Sequence, residues 1–84
     1  MELSEADVLS DTQSLLAAFL KIPTESIIPE SRLQDDLGID SVDALDIFQI
    51  MQQRFAIEIA PEDLQQLNLV QDIVELVLRK AGME

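Results

Sequence analysis

From Ile22 to Asp40 the chain sustains no apolar period, and this stretch most limits what the sequence can fold into. Pro23, Thr24, Ser26, Pro29, Ser31 and Gly38 punctuate it, so neither a helix nor a strand can run through it. Yet Ile22, Ile27, Ile28, Leu33 and Leu37 recur along it, which a solvated linker would not need. In a chain of 84 residues, a segment this long without regular structure is unusual. Its apolar residues predict a packed loop lying over a core that the remaining segments must build.

Those remaining segments read as helices. Ser4-Glu5-Ala6-Asp7 has the form of a capping box, with Asp in the place of the usual Glu or Gln. Val8, Leu15, Leu16 and Phe19 follow at near-helical spacing, Lys21 suits the negative end of the dipole, and Pro23 ends the helix. Asp11 and Thr12 are weaker helix formers in the early turns. A second helix begins at Asp40 or Ser41, with Asp40 as N-cap and Asp43 placed to reach back. Its apolar stripe is Ile47, Phe48, Met51 and Phe55, with Ile50 beside them, and reads as core. Ala56-Ile57-Glu58-Ile59 is too short and too lonely for a strand and reads as an extended connector. Pro61 opens a short helix to Gln66. Asn68-Leu69-Val70-Gln71 reads as a cap and capping box for a last helix carrying Val70, Ile73, Val74, Val77 and Leu78. Arg79 and Lys80 lie in its final turn, and Gly82 ends it. The expected fold is all-α: one domain over residues 1–84, three main helices plus one short helix.

Composition narrows the chemistry. Seventeen acidic residues against 5 basic ones give a formal net charge of -12. That field repels nucleic-acid phosphates and anionic lipid surfaces and favours partners with basic patches. There is no Cys and no His. Disulfides, Cys/His metal sites, cysteine nucleophiles and His-based general-base catalysis are therefore excluded. The regular oxygen-ligand spacing of an EF-hand loop is lacking, so no metal site is expected. Met1-Glu2-Leu3-Ser4-Glu5 is acidic and unlike a signal peptide, and no apolar run approaches a membrane span. A cytoplasmic, monomeric protein is expected.

One hydroxyl has a particular setting: Ser41, at a loop-to-helix junction among Asp35, Asp36, Asp40 and Asp43. A catalytic serine needs a base, and with no His the bases left are Lys21 and Lys80, which have no motif relation to it. On the Asp-Ser pair alone, a plain N-cap reading prevails. A modified serine is the other reading: a helix N-terminus favours a phosphate ester, and Gly38 lets the preceding loop turn freely.

The segment Leu33-Gln34-Asp35-Asp36-Leu37-Gly38-Ile39-Asp40-Ser41-Val42-Asp43 resembles the phosphopantetheine attachment motif of acyl carrier proteins. Ile28-Pro29-Glu30-Ser31, Arg54-Phe55-Ala56-Ile57-Glu58-Ile59 and Val70-Gln71-Asp72 resemble the flanking segments of the same family in the same order. The resemblance covers roughly residues 5 to 80. It implies a non-enzymatic carrier, with 4'-phosphopantetheine from coenzyme A on Ser41 supplying the thiol that a Cys-free chain lacks. Acyl thioesters on that arm would serve fatty acid, lipid or polyketide-type synthesis. It implies that Asp40 helps recognition by the phosphopantetheinyl transferase. Asp36, Asp43 and Asp46 would form an acidic surface, with Val42 and Leu45 as apolar contacts, for acyl-transferring, ligase or synthase partners. It further implies that a sequestered acyl chain would be lined by Leu33, Ile47, Met51, Ile59, Leu64, Leu67 and Val74, for each of which plain core packing is an equal reading.

The sequence departs from the family pattern in places. Val42 stands where Leu is usual, Gln49 replaces an apolar residue, and Gln52-Gln53-Arg54 stands where fatty-acid-synthesis carriers have acids. Leu64 and Leu69 are bulkier than usual. These departures suggest a specialised carrier with its own partners. An aminoacyl or peptidyl carrier, and an acidic helical interaction protein without a prosthetic group, are the alternatives. Asp35-Asp36-Leu37-Gly38 favours the acyl type.

Overall fold

The computed structural model describes residues 4–82. The reading of Met1-Glu2-Leu3 as unlike a leader lies outside them. Helix α1 spans Glu5–Leu20, a single 3-10 turn spans Thr24–Ser26, α2 spans Ser41–Phe55, α3 spans Pro61–Leu64 and α4 spans Val70–Lys80. No strand occurs among the described residues; one isolated β-bridge pairs Arg32 with Leu69. The all-α architecture of three main helices, one short helix and a long loop is as the periodicity predicts.

Each helix begins where local chemistry supplies its unpaired N–H groups. The Asp7 N–H donates to Ser4 Oγ at 3.1 Å, and the Asp43 N–H to Asp40 Oδ1 at 2.8 Å. Pro61 sits in the first turn of α3, and the Ala60 N–H donates to the Asp63 carboxylate at 2.9 Å. The α4 cap departs from expectation by one residue: the N-cap is Leu69, not Asn68. A single Asp72 carboxylate oxygen accepts both the Asn68 and the Leu69 N–H at 2.9 Å, while the Val70 and Gln71 N–H groups find loop carbonyls, so no side-chain oxygen is needed at the cap. Helix α3 also ends earlier than Gln66, at Leu64. At their C-termini, α1 and α2 turn off through left-handed residues, Lys21 (φ 59°) and Ala56 (φ 54°). Lys21 is thus the cap itself and not part of the last turn.

The core joins Val8, Leu16 and Ala17 of α1, Ile47, Phe48 and Met51 of α2, and Val70, Ile73, Val74 and Val77 of α4. Helix α1 packs chiefly against α4. Leu76, which the stripe of α4 does not single out, is buried as well. Ile50 departs from its predicted place beside the core. It is 43% exposed and, with Leu15 and Ala18, lines a shallow groove closed at one end by the Arg54–Asp11 ion pair at 3.2 Å.

The loop is packed as its residues predict. Ile27, Leu33 and Ile39 are buried within it, whereas Ile28 points outward at 50% exposure. Its anchoring was not legible in the sequence. The Gln13 side chain on α1 donates to the Ile27 carbonyl at 2.7 Å. The Val70 and Gln71 N–H groups donate to the Ser31 and Pro29 carbonyls at 3.0 and 2.9 Å, and the Leu33 N–H donates to the Asn68 carbonyl at 2.8 Å. The loop carbonyls thereby satisfy the first N–H groups of α4. The fold holds residues 28–33 and 68–71 as one unit, and Ser41 follows directly from it.

Two stability predictions arise here. Thr12 is fully buried in the middle of α1, and its hydroxyl has no hydrogen-bond partner among the described residues. A buried unpaired hydroxyl costs about 1–3 kcal/mol, so Thr12→Val, of equal size, should leave the fold intact and raise its thermal midpoint. A lower midpoint by calorimetry would show that the hydroxyl has an uncounted partner.

The second concerns Asp63, which links α3 to the end of α4 through Lys80 at 3.0 Å. The hydrogen bond from the Ala60 N–H, and then the Lys80 ammonium, hold its carboxyl below its ordinary range, against the opposing effect of burial. A carboxyl depressed in the folded state stabilises the fold above its unfolded pKa. That contribution is lost as pH falls through the folded value. Acidification across that window should therefore destabilise the wild type more than Asp63→Asn, as read by urea midpoints at stepped pH. Equal slopes for the two proteins would remove Asp63 from the acid response.

Candidate functional site

Ser41 is the first residue of α2, and its side chain is exposed. Its position follows from two local features. Gly38 takes a left-handed φ of 69°, which brings the loop round without strain, and the Asp40 carboxylate caps the helix at the Asp43 N–H. The capping work that the Asp-Ser pair suggests is therefore done by Asp40 alone. The Ser41 hydroxyl makes no hydrogen bond within the described residues and is free for another use.

Ser41 and Asp40 lie on the wall of a cavity of about 440 Å³. Its floor is apolar and comes from every layer of the fold: Leu16 of α1, Leu33 and Ile39 of the loop, Ile47 and Phe48 of α2, and Ile73 of α4. Leu64, Leu67 and Leu69 close it from the α3 side. The polar wall is made by Arg32, Gln34, Asp35 and Asn68. A hydroxyl at the rim of an apolar hollow can anchor a chain whose far end seeks shelter from water.

Of the seven predicted lining residues, the structure places Leu33, Ile47, Leu64 and Leu67 on this cavity. Met51 and Val74 are fully buried in the core away from it, and Ile59 is half-buried in the connector, so these three are off the wall. Leu16, Ile39, Phe48 and Ile73 line it without having been singled out. Their helical spacing, or for Ile39 its place in the loop, marks them as apolar, but the direction each faces depends on packing between segments.

The predicted docking residues divide. Val42 and Leu45 are exposed at 67% and 55%, large apolar side chains standing on the outer face of α2. Asp46 is exposed and Asp43 half-buried on the same helix. Asp36 differs from the others. Its carboxylate accepts the Arg32 N–H at 2.8 Å and faces the Arg32 guanidinium at 3.6 Å, so it also holds the loop.

The comparisons with known proteins agree with this geometry. Residues 11–77 match the family model described as "Phosphopantetheine attachment site". The chain is similar to the acyl carrier protein of Solidesulfovibrio magneticus, with 31% identity over 89% of this chain and 96% of the relative. It is also similar to that of Thermosynechococcus vestitus, with 26% identity over 95% of this chain and 99% of the relative. A third relative, the acyl carrier protein of Chlorobium phaeovibrioides, is 26% identical over 93% of this chain and all of the relative.

The 4'-phosphopantetheine group that the family carries fits the residues present. An exposed hydroxyl can be esterified, and an apolar hollow opens beside it. When bound, the group supplies a terminal thiol for thioester formation, which the chain itself lacks. The prosthetic-group-free alternative is thereby set aside. Among the described residues no helix is long and apolar enough to cross a membrane, and no cluster has the makings of a metal site. The chain belongs to the acyl carrier protein family: it is a phosphopantetheine-bearing carrier of acyl groups that works with synthase and transferase enzymes and is not itself an enzyme.

Proposed function

We propose that Ser41 is the residue that bears the phosphopantetheine arm, and that the cavity beside it shelters the acyl chain. The observation that carries this reading is the coincidence of an exposed, uncommitted hydroxyl and the rim of the 440 Å³ cavity at one helix start. The arm is installed by a phosphopantetheinyl transferase, for which Asp40 lies beside the reacting hydroxyl. Partner enzymes present basic patches to Asp43 and Asp46 and bury Val42 and Leu45, whose exposure is otherwise unfavourable. Asp36 contributes to that surface less than its sequence position suggests, because Arg32 faces it.

Residues 1–84 act as one carrier domain, monomeric and cytoplasmic. Its pathway is specialised within fatty acid, lipid or polyketide-type synthesis. The lower half of α2 supports that last point: Gln49, Gln53 and Arg54 stand exposed there without an acidic residue. Partners that need a fully acidic helix find less to hold.

Incubation with coenzyme A and a broad-specificity phosphopantetheinyl transferase tests the reading. The intact mass should rise by one arm, roughly 340 Da. An unchanged mass with several such transferases would sink it.

A further inference from the structure

Arg32 is the sole cation among the described residues that line the cavity, and it shares that wall with Asp40 and Ser41. Its backbone is fully employed. The Arg32 carbonyl accepts the Asp36 and Leu37 N–H groups at 2.9 and 3.1 Å, and its own N–H donates to Asp36. Its side chain is not. The guanidinium lies 3.6 Å from both the Asp35 and the Asp36 carboxylates, outside hydrogen-bonding range, and is 62% exposed. Arg54 and Lys80, by contrast, reach their carboxylates at 3.2 and 3.0 Å. Arg32 is thus held at the mouth by its main chain, while its fork of N–H donors has no hydrogen-bond partner among the described residues.

The geometry points to Arg32 as the residue that receives an oxyanion of the loaded arm at the cavity mouth, an inference that rests on Ser41 as the attachment point. The planar fork of an Arg suits two oxygens of a phosphate or a carboxylate, and two long, solvent-screened contacts are easily given up for a closer one. The oxyanion has two sources: the phosphodiester of the arm itself, or a carboxylate on the acyl cargo. Any oxyanion placed here also faces Asp35 and Asp40 on the same wall, and Arg32 is the one countercharge among the described residues lining it. Its shift would strip the guanidinium countercharge from Asp35 and Asp36, the latter staying bonded to the Arg32 N–H. A partner would then meet a more acidic face on the loaded carrier than on the unloaded one.

Nuclear magnetic resonance on four forms tests this: unloaded, arm-bearing, butyryl-loaded and succinyl-loaded, prepared with the transferase from the matching coenzyme A thioesters. Mass spectrometry on each form comes first, and a failure to load counts against Ser41 and not against Arg32. The Arg32 Hε should exchange with water several-fold more slowly once the anion is present. Slowing on arm attachment, equal for both cargoes, assigns the phosphodiester. Slowing only with succinyl assigns the cargo carboxylate. For the phosphodiester, the phosphorus resonance should move in Arg32→Gln and stay in Arg54→Gln. Unchanged Hε exchange across all four forms would overturn the proposal, and this comparison needs no variant to fold.

Discussion

Ser41→Ala will take up no arm under conditions that load the wild type completely, and with it every acyl transfer through this chain will stop. The effect is all or none because the lost atom is the one esterified. The exposed setting of Ser41 makes this variant clean. Its hydroxyl makes no hydrogen bond among the described residues, and the cap of α2 comes from Asp40. Its stability should stay within ~0.5 kcal/mol of the wild type, as for most surface substitutions. Loss of loading with an unchanged urea midpoint therefore separates attachment from folding. Residual loading of Ser41→Ala would mean that another hydroxyl accepts the arm.

Ile73→Ala will cost ~3 kcal/mol, a large stability effect for a single core truncation. Ile73 is fully buried, and it joins the α1–α4 packing to the floor of the cavity. Its removal enlarges a hollow that already exists, so the surroundings have little to collapse onto. In a domain of this size that loss lowers the thermal midpoint by more than ~10 °C and takes a large part of the total stability. The same truncation opens the floor, so an eight-carbon acyl chain should restore more stability to Ile73→Ala than to the wild type. A thermal midpoint within ~3 °C of the wild type would contradict the packing described for α4.

The helices were legible because their information is local. Ser4, Asp40 and Pro61 mark starts through chemistry within three residues, and the 3.6-residue period marks the buried faces of α1, α2 and α4. The aperiodic loop declared itself packed through its apolar residues, but not how it is held. Bonds such as Val70 N–H to the Ser31 carbonyl join backbone to backbone across the chain, and no side chain announces them. The same pairing explains the misplaced α4 cap. The Asn68 carbonyl is taken by the Leu33 N–H, and the Val70 and Gln71 N–H groups that an Asn68 side chain would have capped donate instead to the Ser31 and Pro29 carbonyls.

The site divides along the same line. Ser41 and Asp40 could be found from the motif, and Val42 and Leu45 from their offset to the core stripe. The cavity wall could not, since Met51 and Val74 belong to apolar stripes just as Ile47 and Ile73 do. Only the meeting of three helices and the loop decides which of them borders the hollow. The role of Arg32 as a neighbour of Asp35 and Asp36 was equally hidden, because it depends on the turn in which the Arg32 carbonyl accepts the Asp36 and Leu37 N–H groups.

Peptide mapping of the arm-bearing protein tests the central claim most directly. Cleavage after Arg32 and Arg54 releases Leu33–Arg54, in which Ser41 is the only Ser or Thr. The account predicts that this peptide alone carries the phosphopantetheine mass and ejects it on fragmentation. The arm on any other peptide would contradict it.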